Sequence, residues 1–172
     1  MSSDKTEAET IDLGVLRSHG EFHLVSLTAI PTGTLLFDIV GTETNTPSRH
    51  SVQVGPNTHL VVDADIDTEA HLDSFRWQFM NHHCQPNCAL KGRSVVSVRN
   101  IAPYEEISFN YNTTEFEMSV PFECRCGSAE CLGVIRGYKH LSDAERERIR
   151  VWTAEHLSGL DEPTVTSESG GS

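Results

Sequence analysis

The sequence predicts a mainly β domain followed by a single C-terminal helix. Short segments rich in β-branched and aromatic residues recur about every ten residues, and Gly, Pro and Asn punctuate them. Only one stretch, "LSDAERERIRVWTAEHL", has sustained helical spacing. No apolar run approaches the ~20 residues that a membrane-spanning helix needs.

In chain order, residues 1–11 are polar and acidic and read as disordered. "EFHLVSLTAI" reads as a strand and "IPTG" as the turn after it; "TLLFDIVG" is a strand ending at Gly41. "HSVQVG" and "THLVVDAD" are two short strands around Gly55-Pro56. "HLDSFRWQFMNH" suits a short helix or a turn. "SVVSVRNI" is a strand, "APYEE" a turn and "ISFNY" another strand. A helix is expected over 143–157, opened by a Ser142/Glu145 capping box and stopped at Ser158-Gly159. The Ser/Gly/Glu-rich tail from Ser158 reads as mobile.

The 172 residues suit one domain with a sizeable core. A net charge of -12 repels phosphate backbones, so nucleic acid is not an expected partner. It suits a basic peptide or an amine, or serves solubility alone. The first residues lack a basic segment followed by an apolar one. The expectation is therefore an intracellular, cytoplasmic monomer, with the nucleus left open and no membrane partner. Five cysteines, an odd number, favour metal binding or catalysis over disulfides in such a compartment.

Three of them, Cys124, Cys126 and Cys131, form the C-x-C-x4-C of "FECRCGSAECLG". Thiolates this close suit a structural zinc, which takes four tetrahedral ligands. The fourth must come from elsewhere in the chain, and Cys84 and Cys88 of "NHHCQPNC" are the remaining cysteines. Two alternatives stand beside this reading. The cysteines can be small buried hydrophobes, or His82 or His83 can complete a catalytic zinc with an open position.

"IPTG", "NHHCQPNC", "YEEISFNY" and "FECRCGSAECLG" occur in a fixed order. Together they resemble the SET-domain methyltransferases that carry a post-SET zinc segment, over about residues 11–140. Asn81-His82-His83-Cys84-Gln85-Pro86-Asn87 matches the family's N-H-S-C-x-P-N, and Tyr104 to Tyr111 matches G-E-E-[IL]-x-F-x-Y. The chain looks most like the small stand-alone SET proteins of microbes. The resemblance implies a β-clip SET fold of small curved sheets with a threaded C-terminal segment. It divides the chain into a SET domain at 12–118, a post-SET segment at 119–140 and the helix at 141–157, with disordered ends at 1–11 and 158–172.

The resemblance also implies roles. Cys84 becomes the fourth ligand of one structural zinc with Cys124, Cys126 and Cys131, and Cys88 a buried small residue. Asn81 and His82 would hold the adenine of S-adenosylmethionine. Tyr111 would point its hydroxyl at the reaction centre, and Phe109 would help set how many methyl groups fit. His83 would have no such role. The expected activity is methylation of an amine such as a protein lysine.

The chain departs from the family at several positions. Glu21-Phe22-His23 stands where the family has G-x-G, with Gly20 one residue earlier. Glu21 and His23 would then crowd the methionine end of the cofactor, or Glu21 would pair with its amino group. Gln78 replaces a usual arginine, and Asn110 and Asn112 replace an aspartate and a glycine. These changes keep two alternatives in view. One is a SET-fold enzyme acting on a small amine-bearing metabolite; the other is a non-catalytic binding module.

Overall fold

The computed structural model describes residues 11–160. Of the disorder expected at 1–11 and 158–172, residues 1–10 and 161–172 lie outside the described residues, while Ile11 packs against the core. The first hairpin joins β1 (Leu13–Ser18) to β2 (Glu21–Ser26) through His19 and Gly20. Both turn residues have positive φ, 52° and 82°, as a two-residue hairpin turn requires. Next come β3 (Leu35–Asp38), β4 (Thr42–Thr44), β5 (Val52–Gly55) and β6 (Thr58–Val61). A short α1 (Leu72–Phe75) and a 3₁₀ turn at Arg76–Phe79 lead into β7 (Asn81–His82), β8 (Cys88–Lys91) and β9 (Ser94–Ser97). Then follow β10 (Ser108–Phe109), β11 (Phe122–Glu123), β12 (Val134–Ile135), α2 (Asp143–Ile149) and α3 (Glu155–Ser158).

These strands form small sheets rather than one large one, as expected of a mainly β, SET-like architecture. Two have three strands, ordered β3-β9-β8 and β4-β6-β5; the pairs β1-β2, β7-β10 and β11-β12 complete the set. Their inner faces share one apolar cluster that includes Leu24, Ile30, Leu60, Trp77, Leu90, Val95 and Ile107. Cys88 lies fully buried in this cluster and away from the other cysteines, as expected. A smaller cluster of Tyr138, Ile149 and Leu157, with Trp152 beside it, seats the C-terminal helices. Among the described residues no helix is long and apolar enough to cross a membrane.

β7 and β10 pair in parallel, Asn81 with Ser108 and Phe109 with His82. This short pairing joins "NHHC" to "FNY". The buried Asn87 locks it, accepting from Ser108 N–H at 2.9 Å and donating to the Glu106 carbonyl at 2.7 Å. Glu105 pairs with Arg99 and accepts from Ala102 N–H, closing the preceding turn. Burial alone would raise its carboxyl, but these partners and Asn87 hold it below the usual carboxylate range.

Several elements are shorter than the sequence predicts. "ISFNY" pairs only at Ser108–Phe109, because the Asn110 side chain accepts Asn112 N–H and starts a 3₁₀ turn at Tyr111–Thr113. The strand expected to reach Gly41 stops at Asp38. The helix expected over 143–157 is broken. Its capping box forms as predicted, but α2 ends at Ile149, a 3₁₀ turn covers Arg150–Trp152, and α3 restarts at Glu155. Ala154 N–H donates to the Thr113 carbonyl at 2.7 Å instead of to its own helix, so a tertiary bond replaces the helical one. Ser158 belongs to α3 rather than to the tail.

Candidate active site and thiol cluster

A cleft of ≈ 1310 Å³ runs along the β2, β7 and β10 segments and ends beside the cysteines. Its walls include Glu21, Phe22, His23, Asn81, His82, Phe109 and Tyr111. Every residue expected to serve catalysis or the cofactor therefore faces one cleft, though not each in the expected way.

Tyr111 follows β10 in the turn that Asn110 initiates. Its hydroxyl donates to the Met80 carbonyl at 2.8 Å. Burial, then the negative charges of Glu115 and Glu106, raise its pKa, so the phenol stays protonated. Around it stand Phe109 at 4.7 Å between ring centroids, His82 at 5.3 Å and Phe122 at 5.9 Å. Sequence reasoning did not single out Phe122, which arrives from β11 beside the cysteines.

His82 connects two parts of the site. Its Nδ1 accepts Tyr111 N–H at 3.0 Å, which leaves Nε2 to carry the proton 3.3 Å from Cys84 Sγ. Burial, then His83, push its pKa down to about 3, so the ring is neutral. His83 only accepts Gln85 N–H at 3.0 Å, a local turn contact.

The substituted glycine segment has its own network. Asn81 Nδ2 donates to the Phe22 carbonyl at 2.9 Å and to Glu106 Oε1 at 2.8 Å. His23 Nδ1 meets the same oxygen at 2.9 Å. Glu106 Oε2 has no hydrogen-bond partner among the described residues, and its side chain is 40% exposed. Thus Glu106, not Glu21, offers the carboxylate oxygen nearest this network, while Glu21 lies exposed at the start of β2. Gly20 serves the hairpin turn at φ +82°. The Phe22 ring packs edge-on against Phe79 at 5.2 Å, beneath the Arg17 guanidinium at 5.5 Å. Cleft size and donors suit a nucleoside-bearing amino acid: the unpaired Glu106 oxygen fits an ammonium, and the imidazole of His23 is held on Glu106.

The four predicted cysteines converge. The Sγ atoms of Cys84, Cys124, Cys126 and Cys131 lie within 4.8 Å of one another. Cys84 and Cys124 are 3.9 Å apart; a tetrahedron with ~2.3 Å zinc–sulfur arms has edges of about 3.8 Å. Burial opposes ionisation of Cys126, but backbone donors at Cys84 and Ser128 and the neighbouring thiols bring it down to about 7. The thiol set thus fits zinc by number, spacing and chemistry. The four-thiol set supplies all four tetrahedral ligands as sulfur, the pattern of a structural rather than a catalytic zinc.

Comparisons with known proteins agree with this geometry. The SET domain family model matches residues 21–112. The methyltransferase flvH of Aspergillus flavus is 30% identical over 153 residues, covering 84% of this chain and 78% of flvH. The histone-lysine N-methyltransferase ash1 of Drosophila melanogaster is 30% identical over 122 residues, covering 63% of this chain but only 6% of ash1. In structure, KRYPTONITE in complex with mCHG DNA and SAH superposes with a TM-score of 0.54 at 22% identity, over 72% of this chain and 29% of that one. The methyltransferase domain of human SETMAR gives 0.53 at 18% identity, over 72% and 57%; both likenesses concern the fold. The chain belongs to the SET-domain family, and its matched relatives are methyltransferases.

Proposed function

We propose that this protein transfers a methyl group from S-adenosylmethionine to an amine, with a lysine of a basic peptide or protein as substrate. The observation that carries the reading is the placement of Tyr111. Its protonated hydroxyl is fixed on the Met80 carbonyl inside an aromatic group formed with Phe109, His82 and Phe122. The acidic balance of the chain, -12, favours a basic partner over nucleic acid.

S-adenosylmethionine supplies a methyl group already activated on a sulfonium. The protein must then hold an uncharged amine in line with it. Aromatic walls exclude water and disfavour the ammonium form. The Met80 carbonyl fixes the Tyr111 hydroxyl, which orients the reacting groups with Phe109 beside it limiting the room. Asn81 and His82 carry the adenine side. Glu106, steadied by Asn81 and His23, receives the amino-acid end. Glu21 and Phe22 bound that end of the cleft. One zinc on Cys84, Cys124, Cys126 and Cys131 holds Phe122 and the His82 loop together.

Calorimetric titration with S-adenosylmethionine, followed by transfer of labelled methyl to a basic lysine peptide, tests this reading. Tyr111→Phe should keep cofactor affinity and lose about 100-fold or more in transfer rate. A protein that does not bind the cofactor, or a Tyr111→Phe variant with unchanged transfer, refutes it. Free small amines in place of the peptide test the metabolite alternative directly.

A further inference from the structure

One wall of the cleft carries a buried carboxylate, Glu115, that belongs to none of the motifs. Its N–H donates to the Tyr111 carbonyl at 2.9 Å, so the two residues share one turn and line one cleft. Its side chain is 9% exposed. Oε1 accepts Gln53 N–H at 2.7 Å and the Thr114 hydroxyl at 3.5 Å. Oε2 faces His59 Nδ1 at 3.9 Å, too far for a hydrogen bond. That nitrogen, on a side chain 7% exposed, has no other hydrogen-bond partner. A buried ring nitrogen without a partner, facing a carboxylate oxygen, is costly unless something uses it.

Amine methylation creates such a use. A lysine arrives as an ammonium, because its free pKa is near 10.4, and must lose a proton before each transfer. Resting on the amine-methylation reading above, we propose that Glu115 takes this proton, with the neutral His59 beside it. The N–H bond of the ammonium breaks and its electron pair stays on nitrogen. An O–H bond forms at Glu115 Oε2. Ammonium and carboxylate become neutral amine and carboxylic acid, and the acid returns the proton to solvent through the cleft after transfer.

The electrostatics agree with this geometry. Burial pushes the Glu115 carboxyl up to about 7, partly offset by the Gln53 and Thr114 bonds. The group is then mostly ionised just above neutrality and still basic enough to accept a proton. Burial, then the charge of His156, lowers the His59 pKa, so His59 stands neutral beside Glu115 and adds no positive charge that would hold the carboxylate ionised. The titratable groups around Glu115 are His59 from β6, Tyr111 one turn before it and His156 from α3, and the charge of Glu106 acts on Tyr111 as that of Glu115 does. No Lys or Arg forms an ion pair with Glu115 among the described residues.

The test compares the whole protein with Glu115→Gln and Glu115→Asp. Glutamine keeps an acceptor for Gln53 N–H, so thermal melting and zinc content should show a folded variant. The first readout is infrared difference spectroscopy of the Glu115 carboxyl, which needs no turnover. A protonation midpoint near pH 7 is expected; a midpoint in the ordinary carboxylate range overturns the proposal. The second readout is the single-turnover methyl-transfer rate to a basic lysine peptide across pH. Glu115→Gln should lose about 100-fold near pH 7.5 and regain about tenfold per pH unit as the amine deprotonates unaided. Glu115→Asp should keep the wild-type shape of the profile. A deficit in Glu115→Gln that does not change with pH overturns the proton-accepting role and leaves amine methylation standing. If wild-type protein transfers no methyl at any pH, amine methylation itself fails, and this role fails with it.

Discussion

In the apolar cluster shared by the sheets, Leu60, Leu90, Val95 and Ile107 are wholly enclosed, whereas between Phe122 and Ile135 only Ile135 reaches that state. The first region has apolar area enough to hold itself together. The second has two strands of two residues each and three half-buried cysteines. The four clustered thiols could cross-link it through a metal ion. The region that supplies Phe122 to the Tyr111 group is therefore the one with the least packing of its own. A metal held by the four thiols would be coupled to the proposed active site through this contact and through His82 beside Cys84.

The sharpest way to break the comparison is to remove the metal. Structural zinc contributes on the order of 10 kcal/mol to small metal-bound folds. Chelation, or Cys126→Ser, should unfold the 122–135 segment, and hydrogen exchange should show protection lost there but kept around Leu60 and Leu90. Cofactor affinity should fall at the same time, because Cys84 sits two residues after His82. A Cys84→Ala protein that loses zinc but retains full affinity contradicts the coupling.

The converse change strikes the apolar half. Leu60→Ala should cost about 4 kcal/mol, the transfer term plus the cavity left behind. The melting temperature should drop while the zinc content of the folded protein stays at one ion. Loss of zinc stoichiometry in the folded variant would show that the two regions do not stabilise themselves separately.

Gly137 tests the junction between them. Its φ is +107°, and a Cβ there would lie 2.7 Å from Glu117 Cα and 2.8 Å from the Phe116 carbonyl oxygen. Both obstacles are backbone, so neither can swing aside. Gly137→Ala should cost about 3 kcal/mol, read by denaturant unfolding. It should also disturb Glu115, because Tyr138 N–H donates to the Glu115 carbonyl at 2.8 Å.

The same contrast explains what is legible in the sequence. "CRCGSAEC" and "NHHC" show their ligands as residue types, so the family resemblance is enough to assemble the four-cysteine set. The strand segments are legible because β-branched runs and turn residues are local signals. Asn110, which ends β10 after two residues, and Ala154, which leaves its helix to bond Thr113, act through single contacts that no period records. Glu106 is visible as part of a motif, but its link to His23 and Asn81 depends on β2 and β7 lying together. Glu115 and Phe122 carry no signal at all. Each looks like an ordinary loop residue until the fold turns it toward Tyr111.

Glu115 also yields the smallest and most selective prediction. Its folded-state value, about 7, stands above its ordinary 4.5. A carboxyl raised in this way keeps its full contribution to stability below the unfolded value. That contribution is lost as pH rises through about 7, because the folded protein must then hold a buried charge. Wild type should therefore lose stability between pH 4.5 and 7 relative to Glu115→Gln, which cannot ionise. At pH 8 the variant should be the more stable by about 3 kcal/mol, and near pH 4 the difference should vanish. Paired chemical denaturations at the two pH values measure this. The zinc-dependent segment should not contribute, since Glu115 contacts Gln53, His59 and Thr114 rather than any cysteine. A difference that persists after chelation assigns the titration to the apolar half; one that disappears places Glu115 under the control of the metal.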